Sequence, residues 1–173
     1  HGEYLSKISK NLVIIDPIVQ KLEYSKVANQ IYSINDLNYS NSKDDLVVIS
    51  NWGPDHLSSI QIAVNKGYRQ FVLEKPMVTS IYDLDCLVNL VKSKSLKVVV
   101  NQGWHYEKLA EKVNHLGEKF SLGNIQSMVT YGGARCLSTG GSHIIHLANM
   151  IFQSNPTLLS ACLNFDYINP RSM

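Results

Sequence analysis

Short apolar runs separated by amphipathic stretches dominate the first part of the chain. Most of these runs are rich in Val and Ile, and they end in polar or turn-forming residues. An unbroken apolar run of this length is typical of a strand that is buried on both faces of a parallel sheet. The pattern predicts strands at 11–15, 31–33, 45–50, 69–73 and 96–100.

Amphipathic helices are predicted between these strands. The predicted helices lie at 21–30, from Asp55 to Gly67, and from Ser80 onward, where Asp83 completes a capping-box pattern. The faces expected to be buried carry Leu57, Ile60, Ala63 and Val64 in the second helix, and Ile81, Leu84, Leu87, Val88 and Val91 in the third. Because right-handed helical crossovers join parallel strands, residues 1–102 are predicted to form an α/β domain, a parallel sheet with helices on both faces.

The pattern changes after residue 102. Helices are predicted at 109–120 and 142–152, and strands at 124–131 and 159–167. Apolar and polar residues alternate in the last of these, which is typical of a half-buried antiparallel strand. We therefore expect residues 103–173 to begin an α+β domain with an open, mainly antiparallel sheet. Since the chain starts without Met and inside a helical pattern, we expect it to be the middle part of a longer protein.

Composition excludes several classes of protein. With 45% apolar and 17% charged residues, the chain is typical of a globular protein. A formal net charge of +2 gives no electrostatic reason to expect a nucleic-acid or membrane partner, and no apolar run approaches the roughly 20 residues of a membrane span. Cys86, Cys136 and Cys162 are widely spaced, as in reduced cytoplasmic proteins. We therefore expect a cytoplasmic protein.

Glu74, Lys75 and Pro76 follow the predicted strand at 69–73 without an intervening loop. Ligands of open α/β sheets bind beyond the carboxyl ends of the strands, and Pro76 ends the strand because it has no N–H to donate. An isolated Glu-Lys-Pro is also consistent with a solvated surface turn. The other strand ends favour a site, since they bring Asp16, Asn51-Trp52 and Asn101 to the same edge of the sheet.

Asp16 ends the first predicted strand. In a dinucleotide-binding fold, an acidic residue about 20 residues after a glycine-rich turn binds the ribose hydroxyls. Counting back from Asp16 places that turn before His1, outside this sequence, so the pattern cannot be tested. An Asp in the position of Asp16, taken alone, is more often a helix N-cap. No Arg follows it to bind a 2′-phosphate, which favours NAD(H) over NADP(H).

A second polar cluster lies between Thr139 and His146. Two glycines allow close approach of a backbone, and Ser142 is a candidate helix cap. His143 and His146 are three residues apart on one helical face. The helix dipole lowers the pKa of a His in the first turn, which favours a neutral general base. Buried core histidines or a metal pair are alternatives, although no third metal ligand has a suitable spacing.

These motifs together resemble the Gfo/Idh/MocA family of nicotinamide-dependent oxidoreductases. The resemblance covers the whole chain and includes the strand at 47–50 followed by Pro54 and His56, then Glu74-Lys75-Pro76, Asn101, residues 122–125 and Gly141-x-His143. Residues 52–56, 132–137 and 168–172 resemble a subgroup associated with surface-polysaccharide sugars. The resemblance implies a Rossmann domain followed by an α+β domain whose sheet mediates homo-oligomerisation.

The resemblance also implies the site residues. Those expected to hold the cofactor are Asp16, Asn51, Trp52, Pro54, His56, Glu74 and Lys75; those at the substrate are Asn101, Thr139 and His143; and the catalytic residues are Lys75, His143 and His146. No metal is expected. Two positions depart from the family pattern, because Thr139 and His146 stand where the family has Asp. His146 can still donate or accept a hydrogen bond, but it supplies no fixed negative charge.

The function expected from these residues is hydride transfer between nicotinamide and a carbinol carbon of a sugar, sugar nucleotide or polyol. His143, or otherwise Lys75, would take the hydroxyl proton, and the Lys75 ammonium would stabilise the developing alkoxide. Two alternatives stay open. One is redox-neutral, NAD-dependent glycosidase or lyase chemistry, and the other is a non-catalytic protein that senses a sugar or nucleotide.

Overall fold

The strands and helices follow the predicted α/β order over residues 44–103. A computed structural model describes residues 7, 12–16, 29–31, 44–103, 108–131 and 140–162. The strands are β1 (Val13–Ile15), β2 (Asn29–Ile31), β3 (Leu46–Ile49), β4 (Gln70–Leu73) and β5 (Lys97–Val100). The helices are α1 (His56–Asn65), α2 (Ile81–Lys94), α3 (Leu109–Lys119) and α4 (Ser142–Phe152), and a 3-10 turn at Gly53–Asp55 precedes α1.

The strands pair in parallel, as predicted. β3, β4 and β5 form one sheet in that order, and their register aligns Ile49 with Leu73 and Leu73 with Val100. β1 and β2 form a separate two-stranded parallel sheet. Since each pair of parallel strands in the larger sheet is joined through a helix, this part of the chain has Rossmann-type α/β topology.

One apolar core holds the larger sheet against α1 and α2. Its buried side chains are Ile49, Ile60, Ala63, Val64, Tyr68, Phe71, Leu73, Leu87 and Leu96. Phe71, Leu73 and Ile60 are among the largest fully buried side chains, so β4 is the centre of this core. The position of β4 therefore fixes where the residues that follow it, Glu74 and Lys75, leave the sheet.

Local signals in the sequence set the ends of the helices. The Ser80 hydroxyl accepts a hydrogen bond from the Asp83 N–H at 3.0 Å, which caps α2 as predicted. Gly67, with φ of +101°, follows the last turn of α1. The Arg69 guanidinium donates to the carbonyl groups of Val64 and Tyr68 at 3.0 and 2.7 Å, so a cation satisfies acceptors at the end of that helix.

The prediction of which α2 residues are buried is partly wrong. Ile81 is 75% exposed and Val88 is 39% exposed, whereas Leu87 is buried. Val91 packs against the core as predicted, and so does Leu90, which was not among the predicted residues. The buried stripe runs through Leu87, Leu90 and Val91, and Val88 is rotated about 100° from Leu87 around the helix axis. Ile81 lies in the first turn, at the edge of the packed region.

The second strand begins earlier than predicted. Asn29 and Gln30 were expected to end a helix, but they pair with Val13 and Ile14 in β2. Strand pairing with β1 overrides the helical periodicity of these two residues. The rest of that predicted helix, residues 21–28, lies outside the described residues, as does the predicted helix at the start of the chain apart from Lys7.

The second part of the chain contains α3 and α4, which pack against each other. Residues 124–131 form no strand, contrary to prediction, and neither do 159–162; the remainder of that predicted strand lies outside the described residues. An alternating segment forms a strand only when a partner strand completes its hydrogen bonds. Several apolar residues in or directly before these segments are exposed: Leu122, Val129, Tyr131, Leu158 and Leu159. The antiparallel sheet and the domain boundary near 102 stay predictions.

Within the described ranges, none of the helices is both long enough and apolar enough to cross a membrane.

Candidate functional site

The carboxyl ends of β3, β4 and β5 place polar residues side by side. The Glu74 N–H donates to the Ile49 carbonyl at 2.9 Å, and the Asn101 N–H donates to the Leu73 carbonyl at 2.8 Å. These two bonds extend the sheet ladder one residue beyond each strand. Asn51, Glu74-Lys75 and Asn101 therefore leave the sheet at one edge, where ligands of this topology bind.

The Glu74 carboxylate is held by hydrogen bonds at this edge. The Asn101 Nδ2 donates to Glu74 Oε1 at 2.6 Å, and the Lys75 backbone N–H lies 3.3 Å from Glu74 Oε2. A donor bound to a carboxylate makes a charge-assisted bond, which is shorter and stronger than a neutral one. Asn101, predicted as a substrate contact, therefore also orients Glu74 across β4 and β5.

His143 and His146 lie in the first turns of α4, and both side chains are partly buried. The pKa of His143 is lowered from its ordinary value of 6.5, chiefly by burial and then by the positive charge of Lys75. Glu74 opposes this shift and His146 adds to it. Electrostatic effects of this kind act between neighbouring groups. The structure therefore brings together four side chains, Glu74 and Lys75 from the end of β4 and two imidazoles from α4.

The lowered pKa of His143 agrees with the predicted direction, but the main causes are different. The sequence pointed to the helix dipole, whereas burial and Lys75 dominate. The predicted capping role of Ser142 is wrong, because Gly141 occupies the N-cap position and makes no side-chain cap bond. Thr139, the other candidate substrate contact, lies outside the described residues.

The predicted cofactor residues lie in two places. Asn51 donates from Nδ2 to the Ser59 hydroxyl at 2.9 Å, which ties the end of β3 to α1. Trp52 is 74% exposed, and Pro54 lies within the 3-10 turn that follows. Asp16 directly follows β1, in the separate two-stranded sheet. No strand ladder connects β1 to β3 within the described residues, so the predicted proximity of Asp16 to Lys75 stays a prediction.

His56 was expected to contact the cofactor, but its side chain is inside the core and only 1% exposed. Its Nε2 lies 3.0 Å from the Asn51 carbonyl oxygen and its Nδ1 lies 3.3 Å from the Met77 carbonyl oxygen. The direct contact is therefore wrong, because the ring faces protein backbone on both sides.

Sequence analysis missed Gln102, the residue after Asn101. Its Oε1 is buried, and within the described part of the chain it has no hydrogen-bond partner. A buried acceptor of this kind costs free energy unless a donor reaches it. Its position directly after Asn101 is the sequence feature that could have indicated it.

Two other features lie outside this cluster. A cavity of about 720 Å³ lies between the last turns of α3 and α4, and no candidate site residue lines it. In the described ranges, His, Cys, Asp and Glu side chains form no group of three that could hold a metal ion. The chemistry that the sheet edge offers comes from an ammonium, a carboxylate and two imidazoles.

Several solved structures on which the chain superimposes are described as oxidoreductases. The chain superimposes on a scyllo-inositol dehydrogenase of Lactobacillus casei, solved with NAD(H) and scyllo-inositol, with a TM-score of 0.68 and 15% identity. It superimposes on an oxidoreductase of Agrobacterium radiobacter in complex with NAD+, L-tartaric acid and magnesium with a TM-score of 0.65 and 15% identity. For a Bacteroides fragilis protein classed as an oxidoreductase, the values are 0.60 and 23%. The chain shares the fold of these proteins.

The matched regions cover 88%, 87% and 81% of this chain, but only 52%, 50% and 43% of the three structures. The chain thus spans about half the length of the proteins it matches. No protein-family model matches the chain, and no curated protein matches it significantly. The resemblance that the sequence predicts is therefore confirmed at the level of the fold.

Proposed function

We propose that this chain is part of a nicotinamide-dependent oxidoreductase of the Gfo/Idh/MocA type. Its reaction would transfer a hydride between nicotinamide and a carbinol carbon of a sugar, sugar nucleotide or polyol. The observation that supports this proposal is that Glu74 and Lys75, at the end of β4, lie near enough to His143 of α4 for their charges to act on its imidazole. It joins the end of a parallel strand to a helix of the second region, at the edge where ligands of such sheets bind.

The residues at the sheet edge fit a nicotinamide dinucleotide. Trp52 offers an exposed aromatic face beyond β3, and Asn51 and Pro54 flank it. The buried Gln102 Oε1 would accept a hydrogen bond from a carboxamide or hydroxyl group. Asp16 would bind the ribose hydroxyls, which favours NAD(H) over NADP(H). When bound, the cofactor would accept or donate the hydride, and the protein would supply orientation and charge.

His143 is the proposed general base. Burial and Lys75 lower its pKa, so the imidazole is neutral and can take a hydroxyl proton near neutral pH. The Lys75 ammonium would stabilise the negative charge that develops on the substrate oxygen. Glu74, oriented by Asn101, would keep Lys75 in place. His146 would hydrogen-bond the substrate or His143, in the position where the family has Asp.

The wider setting of the proposed reaction is the cytoplasm. The substrate would be a small carbohydrate, with surface-polysaccharide sugar synthesis as the candidate pathway class, and no nucleic-acid or membrane partner is proposed. A homo-oligomer would assemble through the sheet of the second domain. The exposed apolar residues at 122–131 and 158–159 support this assembly, because alternating apolar segments are stabilised by pairing and burial.

Replacement of Lys75 by Ala in the full-length protein tests the proposal. We expect kcat to fall by about 100-fold or more, since an electrostatic contact to the reacting oxygen contributes on this scale. Cofactor binding, followed by fluorescence of the reduced nicotinamide, should persist. Lys92→Ala, an exposed lysine on α2, is the matched control and should retain full activity. Unchanged turnover in Lys75→Ala would remove Lys75 from the mechanism.

A second candidate is a non-catalytic protein that senses a sugar or nucleotide. The presence of His146 at the family's Asp position favours it, because a neutral imidazole supplies no fixed charge for proton transfer. Ligand binding without turnover across a panel of sugars and sugar nucleotides would support this candidate. Turnover without net NADH release would instead indicate redox-neutral glycosidase or lyase chemistry.

A further inference from the structure

We infer that His56 is a positioning residue that holds the loop carrying Lys75 against the loop that follows β3. The inference rests on the proposed function, since it concerns the placement of the proposed catalytic ammonium. It assigns to His56 a role through the backbone, without contact to cofactor or substrate.

The burial of His56 is the first observation. Within the described ranges it is the one polar or charged side chain that is buried, and it ranks with Phe71, Ile60 and Leu73 among the largest that are fully buried. An imidazole in such a place costs free energy unless its nitrogens find hydrogen-bond partners. A Leu or Phe would fill the same space without that cost, so apolar packing alone does not account for the ring.

The partners of the ring are the second observation. Nε2 lies 3.0 Å from the carbonyl oxygen of Asn51, which follows β3, and Nδ1 lies 3.3 Å from that of Met77, which follows Lys75-Pro76. A neutral imidazole donates to one of these oxygens and an imidazolium donates to both. The two residues are 26 positions apart in the sequence, so the ring bridges two separate loops.

An independent contact joins the same two loops. A Cβ built on Gly53 would lie 3.3 Å from Pro76 Cγ and 3.4 Å from Thr79 Cγ2, so the two loops pack closely at this point. Met77 and Val78 also pack against the apolar core. The loop after β4 is therefore held against the loop after β3 by packing and by the His56 ring.

Lys75 lies between two anchored points. On one side, Glu74 is bonded to Asn101 at 2.6 Å, and on the other, Met77 faces His56. Asn51 and Trp52, the proposed cofactor contacts, belong to the loop that follows β3. His56 thus sets the separation between the proposed cofactor contacts and the proposed catalytic ammonium. A displacement of about 1 Å at a reacting group can cost about 100-fold in rate.

The test compares two substitutions in the full-length protein. His56→Leu keeps most of the volume but has no N–H, and His56→Gln keeps a donor. We expect His56→Leu to lower kcat by about 10- to 100-fold while KM for the cofactor changes by less than about threefold, and His56→Gln to recover at least part of kcat. Hydrogen exchange at the amides of residues 77–79 should become faster in His56→Leu, while β3, β4 and β5 stay protected.

Leu87→Ala is the control for loss of core packing, because Leu87 is buried on α2 and belongs to neither loop. It should lower Tm with kcat unchanged. If His56→Leu also lowers Tm without changing kcat or exchange at 77–79, the ring only fills space and the inference is overturned. The same holds if His56→Leu lowers kcat but His56→Gln recovers none of it.

Gly53→Ala alters the contact between the two loops without altering the His56 ring. It therefore tests the inference even if His56→Leu does not fold. The added Cβ would press on Pro76, so kcat should fall by about three- to tenfold with little change in Tm. Unchanged kcat and exchange would overturn the inference. Lys75→Ala separates the two proposals. If Lys75→Ala keeps full turnover, the proposed role of Lys75 is wrong. If His56→Leu still lowers kcat and speeds hydrogen exchange at 77–79, the positioning role of His56 is nevertheless supported.

Discussion

The two regions of the molecule differ in how many of their apolar side chains are buried. In residues 44–103, nine apolar side chains are buried in one core between a parallel sheet and two helices. In residues 108–131 and 140–162, the buried apolar side chains are Ala110 and Leu147. The helical crossovers of a parallel sheet cover its faces, so residues 44–103 bury their apolar side chains within one continuous stretch of the chain.

The candidate site joins these two regions. Lys75 and Glu74 leave the packed sheet, and His143 and His146 come from a helix with one buried side chain. Rigid elements hold functional groups more accurately than loosely packed ones. The sheet side of the site is therefore held more firmly than the helix side.

The contrast between the two regions is tested most directly by removing Phe71, the largest fully buried side chain in the described ranges. Phe71→Ala should lower the free energy of unfolding by about 3–5 kcal/mol, because it leaves a cavity at the centre of the sheet. Leu116→Ala on the exposed face of α3 should cost less than about 0.5 kcal/mol, as surface substitutions do. Urea unfolding monitored by circular dichroism measures both. Equal losses would contradict the contrast between the regions.

A smaller effect is expected at the helix starts. The Ser80 hydroxyl caps α2, whereas α4 has Gly141 at the equivalent position and no side-chain cap bond. Ser80→Ala should therefore lower the free energy of unfolding by about 1 kcal/mol. Ser93→Ala, near the end of the same helix, is the control and should change stability less. A loss of the same size at both positions would show that capping does not stabilise α2.

The smallest effect, a shift in one titration, tests the link between the regions. Because the folded protein lowers the pKa of His143, its imidazole should titrate below 6.5 in NMR spectra of the Cε1 proton. Lys75→Met should raise that pKa, since it removes a positive charge, and Glu74→Gln should lower it further. An unmoved titration in both variants would show that the strand end and α4 are not neighbours in solution.

The same shift has a consequence for stability. The unfolded state binds a proton at His143 more readily than the folded state does. The contribution of this group to the free energy of unfolding is therefore complete at high pH and decreases as the pH falls through about 6.5.

The sequence predicts β3, β4 and β5 well because each is a continuous apolar run, and their shared edge follows from parallel pairing. It fails where a distant partner decides the outcome. Asn29 and Gln30 enter a strand because β1 is beside them, and residues 124–131 form none because no partner strand pairs with them within the described residues. The helical periodicity likewise predicts that Val88 is buried, but Val88 is exposed and Leu90 packs against the core.

The sequence indicates which candidate residues lie at the strand ends, but it does not indicate which side chains they contact. The neighbours of His143 follow from tertiary packing, which no spacing in the sequence encodes. His56 shows the same limit: a polar residue after a turn indicates a ligand contact, and only its burial and two backbone partners show otherwise.

The hydrogen bond from Asn101 to Glu74 has a consequence for the chemistry of the imidazole pair. The carboxylate it holds raises the pKa of His143, against the effect of Lys75. Part of the charge environment of His143 is thus set by a strand of the sheet, through Glu74 and the Asn101 side chain that holds it, and not by its own helix.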